Sequence, residues 1–231
     1  MVIKCVNSAK RVSKNALSKI GKMQKGIRYK KLPFHFKVKE VLSEKITIED
    51  SKKGWADSVK TLMQSLYDGQ NIYFDYSEIR PEGARLMTMG GRASGPQPLV
   101  KLHDFIRETM HSAQGRQLTT LEAHDICNQI AEIVVVGGVR RSALISLSNL
   151  TDERMRSAKT GQWWIDTPEM ALSNNSVCYT EKPDMGIFMK EWLSLYESKS
   201  GERGIFNRES AIKQVAKSGR RDTEHEFGCN P

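Results

Sequence analysis

Apolar residues in this chain recur at two different spacings, and the switches between them mark out its elements. In IEDSKKGWADSVKTLMQSLYDG (48–69), Trp55, Val59, Leu62, Met63 and Leu66 recur at helical spacing, an Asp/Ser pair stands at the start and Gly69 at the stop. This predicts an amphipathic helix. In NIYFDYSEI (71–79), β-branched and aromatic residues alternate with polar ones, which predicts a strand with one buried face. Residues 80–98, RPEGARLMTMGGRASGPQP, hold four glycines and three prolines, too punctuated for either regular element, and predict a long organised loop.

Helical spacing returns over Leu99–His111 and again from Thr119 or Thr120, where Thr-Leu-Glu-Ala supplies an N-cap and an early acid, through to Val136. The double glycine Gly137-Gly138 should end that helix. VRRSALISLS (139–148) then reads as a strand turning Ala143, Ile145 and Leu147 to one side. Strand, helix, glycine loop and strand in that order give an α/β class. The first forty residues show weak periodicity, so a boundary is placed near Val41, separating a basic segment 1–40 from a body 41–231.

Charge sharpens that division. The chain carries +9 overall, yet residues 1–39 hold twelve Lys or Arg and no acid, leaving 24 bases against 27 acids in the rest, a balance of −3. Tyr29, Phe34 and Phe36 are the aromatic residues interleaved with those bases, fewer than a stacking surface for nucleic acid normally brings. The longest greasy run, Ile130–Val136, contains Glu132 and is too short to span a bilayer, and the start lacks an apolar stretch of signal-peptide length. The expectation is a cytoplasmic protein without a membrane segment. Cys5, Cys127, Cys178 and Cys229 are too scattered for a disulfide scaffold, and Cys127 and Cys178 read as buried small hydrophobes. No His/Cys spacing suggests zinc.

Candidate chemistry sits in the glycine-bearing loops. Ile79-Arg-Pro-Glu-Gly-Ala-Arg-Leu86 sets Arg80 and Arg85 around Pro81 and Gly83, and guanidinium groups favour bidentate contact with carboxylate or phosphate. Gly90-Gly91-Arg92-Ala93-Ser94-Gly95-Pro96 offers successive backbone N–H groups, a hydroxyl and a positive charge ahead of a helix, an arrangement suited to anions. It matches neither standard nucleotide-loop pattern. Gly137-Gly138-Val139-Arg140-Arg141-Ser142-Ala143 puts two arginines beyond a double glycine.

Those three loops, followed by Ser173-Asn174-Asn175-Ser176-Val177 and Gly228-Cys229-Asn230-Pro231, resemble in order the motifs of ribonucleotide reductase catalytic chains. The likeness is to the adenosylcobalamin-dependent class II, nearest its monomeric form, and runs from about Ile48 to Pro231. It implies part of a ten-stranded α/β barrel that converts ribonucleotides, as triphosphates, to 2′-deoxyribonucleotides by thiyl radical chemistry. Arg80, Gly83, Arg85, Gly137, Gly138, Arg140, Arg141 and Ser142 would then belong to loops sensing a deoxynucleotide effector and relaying base choice. Gly91, Ser94, Gly95, Asn174 and Asn175 would lie by the substrate, and Asn230 would be the catalytic Asn of the family's Asn-Pro-Cys-Gly-Glu finger loop. The sequence stops at Pro231, before that motif's Cys and Glu, so the resemblance implies a piece without turnover alone. The completed enzyme would draw on adenosylcobalamin, a dithiol reductant system and a complementary C-terminal chain. A rival reading is a basic nucleic-acid-binding or scaffold module using residues 1–39, without catalysis. It accounts for the charge and leaves the loop series unexplained.

Overall fold

The computed structural model describes residues 2–7, 32, 37–38, 46–87, 90–134, 142–219, 222–223 and 228. The chain divides into two units, one formed by Ala9–Arg141 and the other by Met1–Ser8 with Ser142–Pro231.

Among its described residues the first unit consists of three helices and four two-residue strands. Helix α1 (Lys52–Tyr67) starts where Ser51 Oγ accepts the Gly54 N–H at 2.9 Å, and it ends ahead of Gly69, whose positive φ of 78° suits a residue without Cβ. Helix α2 (Gln97–Ser112) follows Pro96, and helix α3 (Thr120–Glu132) opens on a reciprocal capping box between Thr119 and Glu122. The core joins Val59, Leu62, Met63 and Leu66 of α1 to Leu99, Leu102, Ile106 and Met110 of α2, with Ile126 of α3 packed beside them. Four two-residue strands form two parallel pairs: β2 (Lys37–Val38) with β4 (Gln70–Asn71), and β3 (Ile46–Thr47) with β5 (Phe74–Asp75).

Two expectations for this unit need correction. The strand expected over 71–79 is broken between β4 and β5, because Arg107 of α2 reaches in to bond Asn71 Oδ1 at 3.2 Å and the Ile72 carbonyl at 2.8 Å. Past β5 the chain turns, with the Ile79 N–H donating to the Tyr76 carbonyl at 3.1 Å. Helix α3 stops at Glu132, and at Ile133 and Val134 the chain has left the helix for a turn in which the Val134 N–H bonds the Ala131 carbonyl at 3.2 Å. Consecutive β-branched residues weaken a helix end.

The second unit is a four-stranded sheet in the order β1-β6-β7-β8. Strand β1 (Val2–Asn7) runs antiparallel to β6 (Ser142–Ser148), and β6, β7 (Ser173–Tyr179) and β8 (Gly204–Asn207) are mutually parallel. Parallel neighbours require crossovers. Short helices α4 (Glu153–Ser157) and α5 (Trp163–Asp166) with a 3₁₀ turn at Pro168–Leu172 link β6 to β7, α6 (Met185–Ser198) links β7 to β8, and α7 (Arg208–Ser218) follows. The expected alternation of Ala143, Ile145 and Leu147 holds only in part: Leu147 is buried and Ile145 half-buried, but Ala143 is exposed and Leu144 buried. Ser146, Leu147 and Ser148 are buried in succession, so both faces of β6 are covered at that end and simple alternation fails. Cys178 is buried as expected, whereas Cys127 is only half-buried.

The α/β class therefore holds. Among the described residues the strands form this sheet and two short pairs, without a ten-stranded closure. No helix among them is long and apolar enough to cross a membrane.

Candidate functional site

The first two glycine loops, read separately in the sequence, are one antiparallel ribbon. The Gly83 N–H donates to the Ala93 carbonyl at 2.9 Å, the Ala93 N–H to the Ala84 carbonyl at 2.8 Å and the Leu86 N–H to the Gly91 carbonyl at 3.0 Å, with Arg85 facing Arg92 across the bridge. Gly83, Gly90, Gly91 and Gly95 all have positive φ. At Gly95 the requirement is double, since a Cβ there would also stand 3.0 Å from the Glu82 backbone nitrogen.

The side chains divide into anchors and free ends. Arg80 Nε donates to Asp50 Oδ2 at 2.6 Å, tying the start of the ribbon to the approach to α1. Arg92 donates to the Gly83 carbonyl at 3.0 Å and so bridges the two motifs. Gly90, Gly91, Arg85 and Ser94 lie on the solvent side. In the same unit His103 of α2 is fully buried, its Nδ1 2.7 Å from the Tyr76 hydroxyl and its Nε2 3.1 Å from Ser58 Oγ, with the Phe74 ring 4.8 Å away. Burial, reinforced by the Arg107 charge, lowers its pKa to about 4, so the imidazole is neutral and serves as a structural link.

In the second unit the start of β7 carries the other predicted residues. Asn174 is exposed and Asn175 buried, as alternation along a strand dictates. Lys159 Nζ donates to the Ser173 carbonyl and lies 3.0 Å from Glu202 Oε1, while Glu202 Oε2 accepts the Asn175 N–H at 2.6 Å. Beside them Glu191 of α6 is 1% exposed and Arg203 3% exposed. Glu191 accepts from Arg203 at 3.2 Å and from Arg156 Nε at 2.8 Å, and Arg203 goes on to Ser148 Oγ at 2.8 Å and the Asn149 carbonyl at 2.6 Å. Burial pulls the Arg203 guanidinium below its usual pKa, opposed by the Glu191 charge.

Ser142 is half-buried at the start of β6, opposite Asn7 of β1. Gly137, Gly138, Arg140, Arg141 and Asn230 lie outside the described residues. Arg92 is the positive charge already noted in the second glycine loop, but Asp50, Lys159 and Glu202 were not among the predicted site residues. Nothing in their spacing distinguishes them from surface charge.

Residues 4–110 match the family described as the insertion domain of B12-dependent ribonucleotide reductases, so the basic stretch from Lys4 onward falls inside that match. An adenosylcobalamin-dependent ribonucleoside-triphosphate reductase of Lacticaseibacillus paracasei is 32% identical over 193 residues, covering 80% of this chain and 25% of the relative. One from Euglena gracilis is 39% identical over 103 residues, covering 44% of this chain and 14% of the relative. A crystal structure of a B12-dependent (class II) ribonucleotide reductase superposes with a TM-score of 0.55 at 25% identity, covering 65% of this chain and 25% of that one. The chain thus spans about a quarter or less of the length of these relatives.

Proposed function

Because the chain belongs to the B12-dependent, class II ribonucleotide reductases, we propose that it is a nucleotide-handling part of an enzyme that reduces ribonucleoside triphosphates to 2′-deoxyribonucleotides. The observation carrying this reading is the ribbon that joins Ile79–Leu86 to Gly90–Pro96. It brings Gly83, Arg85, Gly91, Ser94 and Gly95 into one element, with exposed backbone at Gly90 and Gly91 and a guanidinium at Arg85 beside it. Such an element suits a phosphate-bearing ligand.

On this reading the parallel strands β6, β7 and β8 belong to a ten-stranded barrel completed by the rest of the enzyme. Asn174 and Asn175 at the start of β7, with Gly91, Ser94 and Gly95, serve the substrate, and Asn230 holds its hydroxyls. Arg80, Gly83, Arg85, Gly137, Gly138, Arg140, Arg141 and Ser142 serve a deoxynucleotide effector. A dithiol system supplies electrons, and the enzyme works in the cytoplasm.

Adenosylcobalamin is the cofactor of the whole enzyme on this proposal, where it supplies the initiating radical. The described residues do not fit it. The cleft between Arg156, Lys159, Glu202 and Arg203 has a volume of about 10 Å³, room for roughly one water-sized group and far below the roughly 300–1,000 Å³ of pockets for drug-sized ligands.

Replacing Arg140 and Arg141 together by Ala in the whole reductase should change the relative rates on the four ribonucleoside triphosphates with and without deoxynucleotide effectors, more than it changes thermal stability. Unchanged substrate ratios would remove the loop assignment. A whole polypeptide that forms no deoxynucleotide with adenosylcobalamin and dithiol would remove the activity itself.

A further inference from the structure

Strand β8 begins opposite Ser176 of β7. Along Ser173–Asn175, β7 is paired with β6 on one side and has no strand on the other among the described residues. The Ser173 carbonyl and the Asn175 N–H point to that open side. In a parallel ladder these are the two groups that one residue of a neighbouring strand would satisfy, donating its N–H to the first and accepting from the second with its carbonyl. Here a side-chain donor and a side-chain acceptor take both places. Lys159 Nζ bonds the Ser173 carbonyl, Glu202 Oε2 takes the Asn175 N–H at 2.6 Å, and the two side chains are joined at 3.0 Å. Their side chains are 5% and 16% exposed, so water competes little with them.

The two groups held belong to the peptide planes on either side of Asn174. Fixing both planes fixes the backbone of Asn174 and hence the direction of its exposed side chain. Lys159 arrives from the loop after α4 and Glu202 from the loop before β8, so the clamp is built from chain far from Asn174 in sequence.

We propose that Lys159 and Glu202 are positioning residues that act as a substitute strand residue and hold Asn174 in register for a nucleotide. The proposal rests on the reading of Asn174 as a nucleotide contact. The same clamp explains why two buried charges are kept where an apolar pair would be cheaper to bury.

The test uses the full chain and the double variant Lys159→Met with Glu202→Gln, which removes both charges at similar volume and leaves neither buried alone. Hydrogen exchange should be at least tenfold faster at the Asn175 amide and unchanged at amides paired between β6 and β7. Titration with ATP, CTP, GTP and UTP in turn should show affinity falling by roughly tenfold, the scale of a lost supporting contact. Asn174→Ala should weaken binding comparably. Because the clamp acts through Asn174, adding the double variant to Asn174→Ala should cost nothing further. Additive losses, unchanged affinity alongside faster exchange, or unchanged exchange overturn the proposal. Should the chain bind none of the four nucleotides, or should Asn174→Ala bind as the parent does, the reading of β7 as a nucleotide contact fails and the positioning role falls with it. The exchange result still reports whether the clamp exists.

Discussion

The helical unit is held mainly by apolar packing, whereas the sheet unit adds a buried ionic cluster to apolar side chains such as Leu144, Met155, Met170 and Val177. In the first, Leu62, Leu66, Leu99, Leu102, Ile106 and Met110 fill the interior, and His103, buried beside Ser58, is neutral. In the second, the space between α6 and the sheet holds Glu191, Arg203, Arg156, Lys159 and Glu202, while α6 turns Met185, Met189, Trp192, Leu193 and Tyr196 outward. Met185 is 69% exposed and Tyr196 68%, and the rings of Trp192 and Tyr196 stack at 5.8 Å. Apolar burial is tolerant of small errors in geometry, whereas a buried ionic cluster holds only while every partner is present. The two units should therefore respond to different perturbations.

The largest effect belongs to the ionic cluster. Glu191→Ala leaves Arg203 buried without its carboxylate and should cost about 3–5 kcal/mol in urea unfolding. Replacing Glu191, Arg156 and Arg203 together by Met should recover much of that loss. A Glu191→Ala variant within about 1 kcal/mol of the parent would mean that the cluster is solvated, and the contrast between the units would dissolve.

Acid acts next, on the helical unit. His103 titrates near 6.5 when unfolded and at about 4 when folded, so the unfolded chain binds the extra proton between those values. Its contribution is fully present above about pH 6.5 and is lost as pH falls towards 4, amounting to about 3 kcal/mol at about 1.4 kcal/mol per unit. Glu122, held down to about 2 first by its bonds from Arg116, contributes a loss only below about pH 4.5, so the two steps are distinct. Stability of the parent and of His103→Gln, measured from pH 7 to 4, should show the slope in the parent alone. Parallel curves would refute the assignment.

Local capping is worth less. Thr119→Ala removes the acceptor for the Glu122 N–H and should destabilise by about 1 kcal/mol in thermal or urea melts. A null result would show that Arg116, bonded to Glu122 at 2.7 Å, holds the start of α3 by itself. Smallest of all, Met189→Ser with Tyr196→Ser should change stability by less than about 0.5 kcal/mol, since both are exposed, while reducing self-association seen by light scattering. A loss above about 2 kcal/mol would show that the outward stripe is packed after all.

The sequence was most readable where the determinants are local. Ser51, Gly69 and the Thr119–Glu122 pair mark helix ends within a few residues, and α1 to α3 lie close to where periodicity puts them. It was misleading where a distant side chain intervenes, as when Arg107 breaks the 71–79 segment from 35 residues away. Ala143 failed because alternation assumes one wet face. In the site, the loop residues were visible as glycines and arginines, but their union into one ribbon depends on pairing across Met87–Gly90, which periodicity does not report. Lys159, Glu191, Glu202 and Arg203 were invisible for a different reason: a charge in sequence reads as surface. Glu191 alone left a trace, standing on α6 opposite the stripe Met185, Met189, Trp192 and Tyr196.

The three backbone hydrogen bonds of the ribbon also have a mechanical meaning. Two motifs cross-linked in this way cannot shift independently, so a ligand that pulls the backbone at Gly91 also moves Leu86, and a shift at Gly83 carries Ala93 with it. Arg92, bonded to the Gly83 carbonyl, stiffens the same joint. If both motifs contact nucleotides, as proposed above, this shared lever arm would convert occupancy of either into displacement of the other, without a hinge or an intervening chain of side chains.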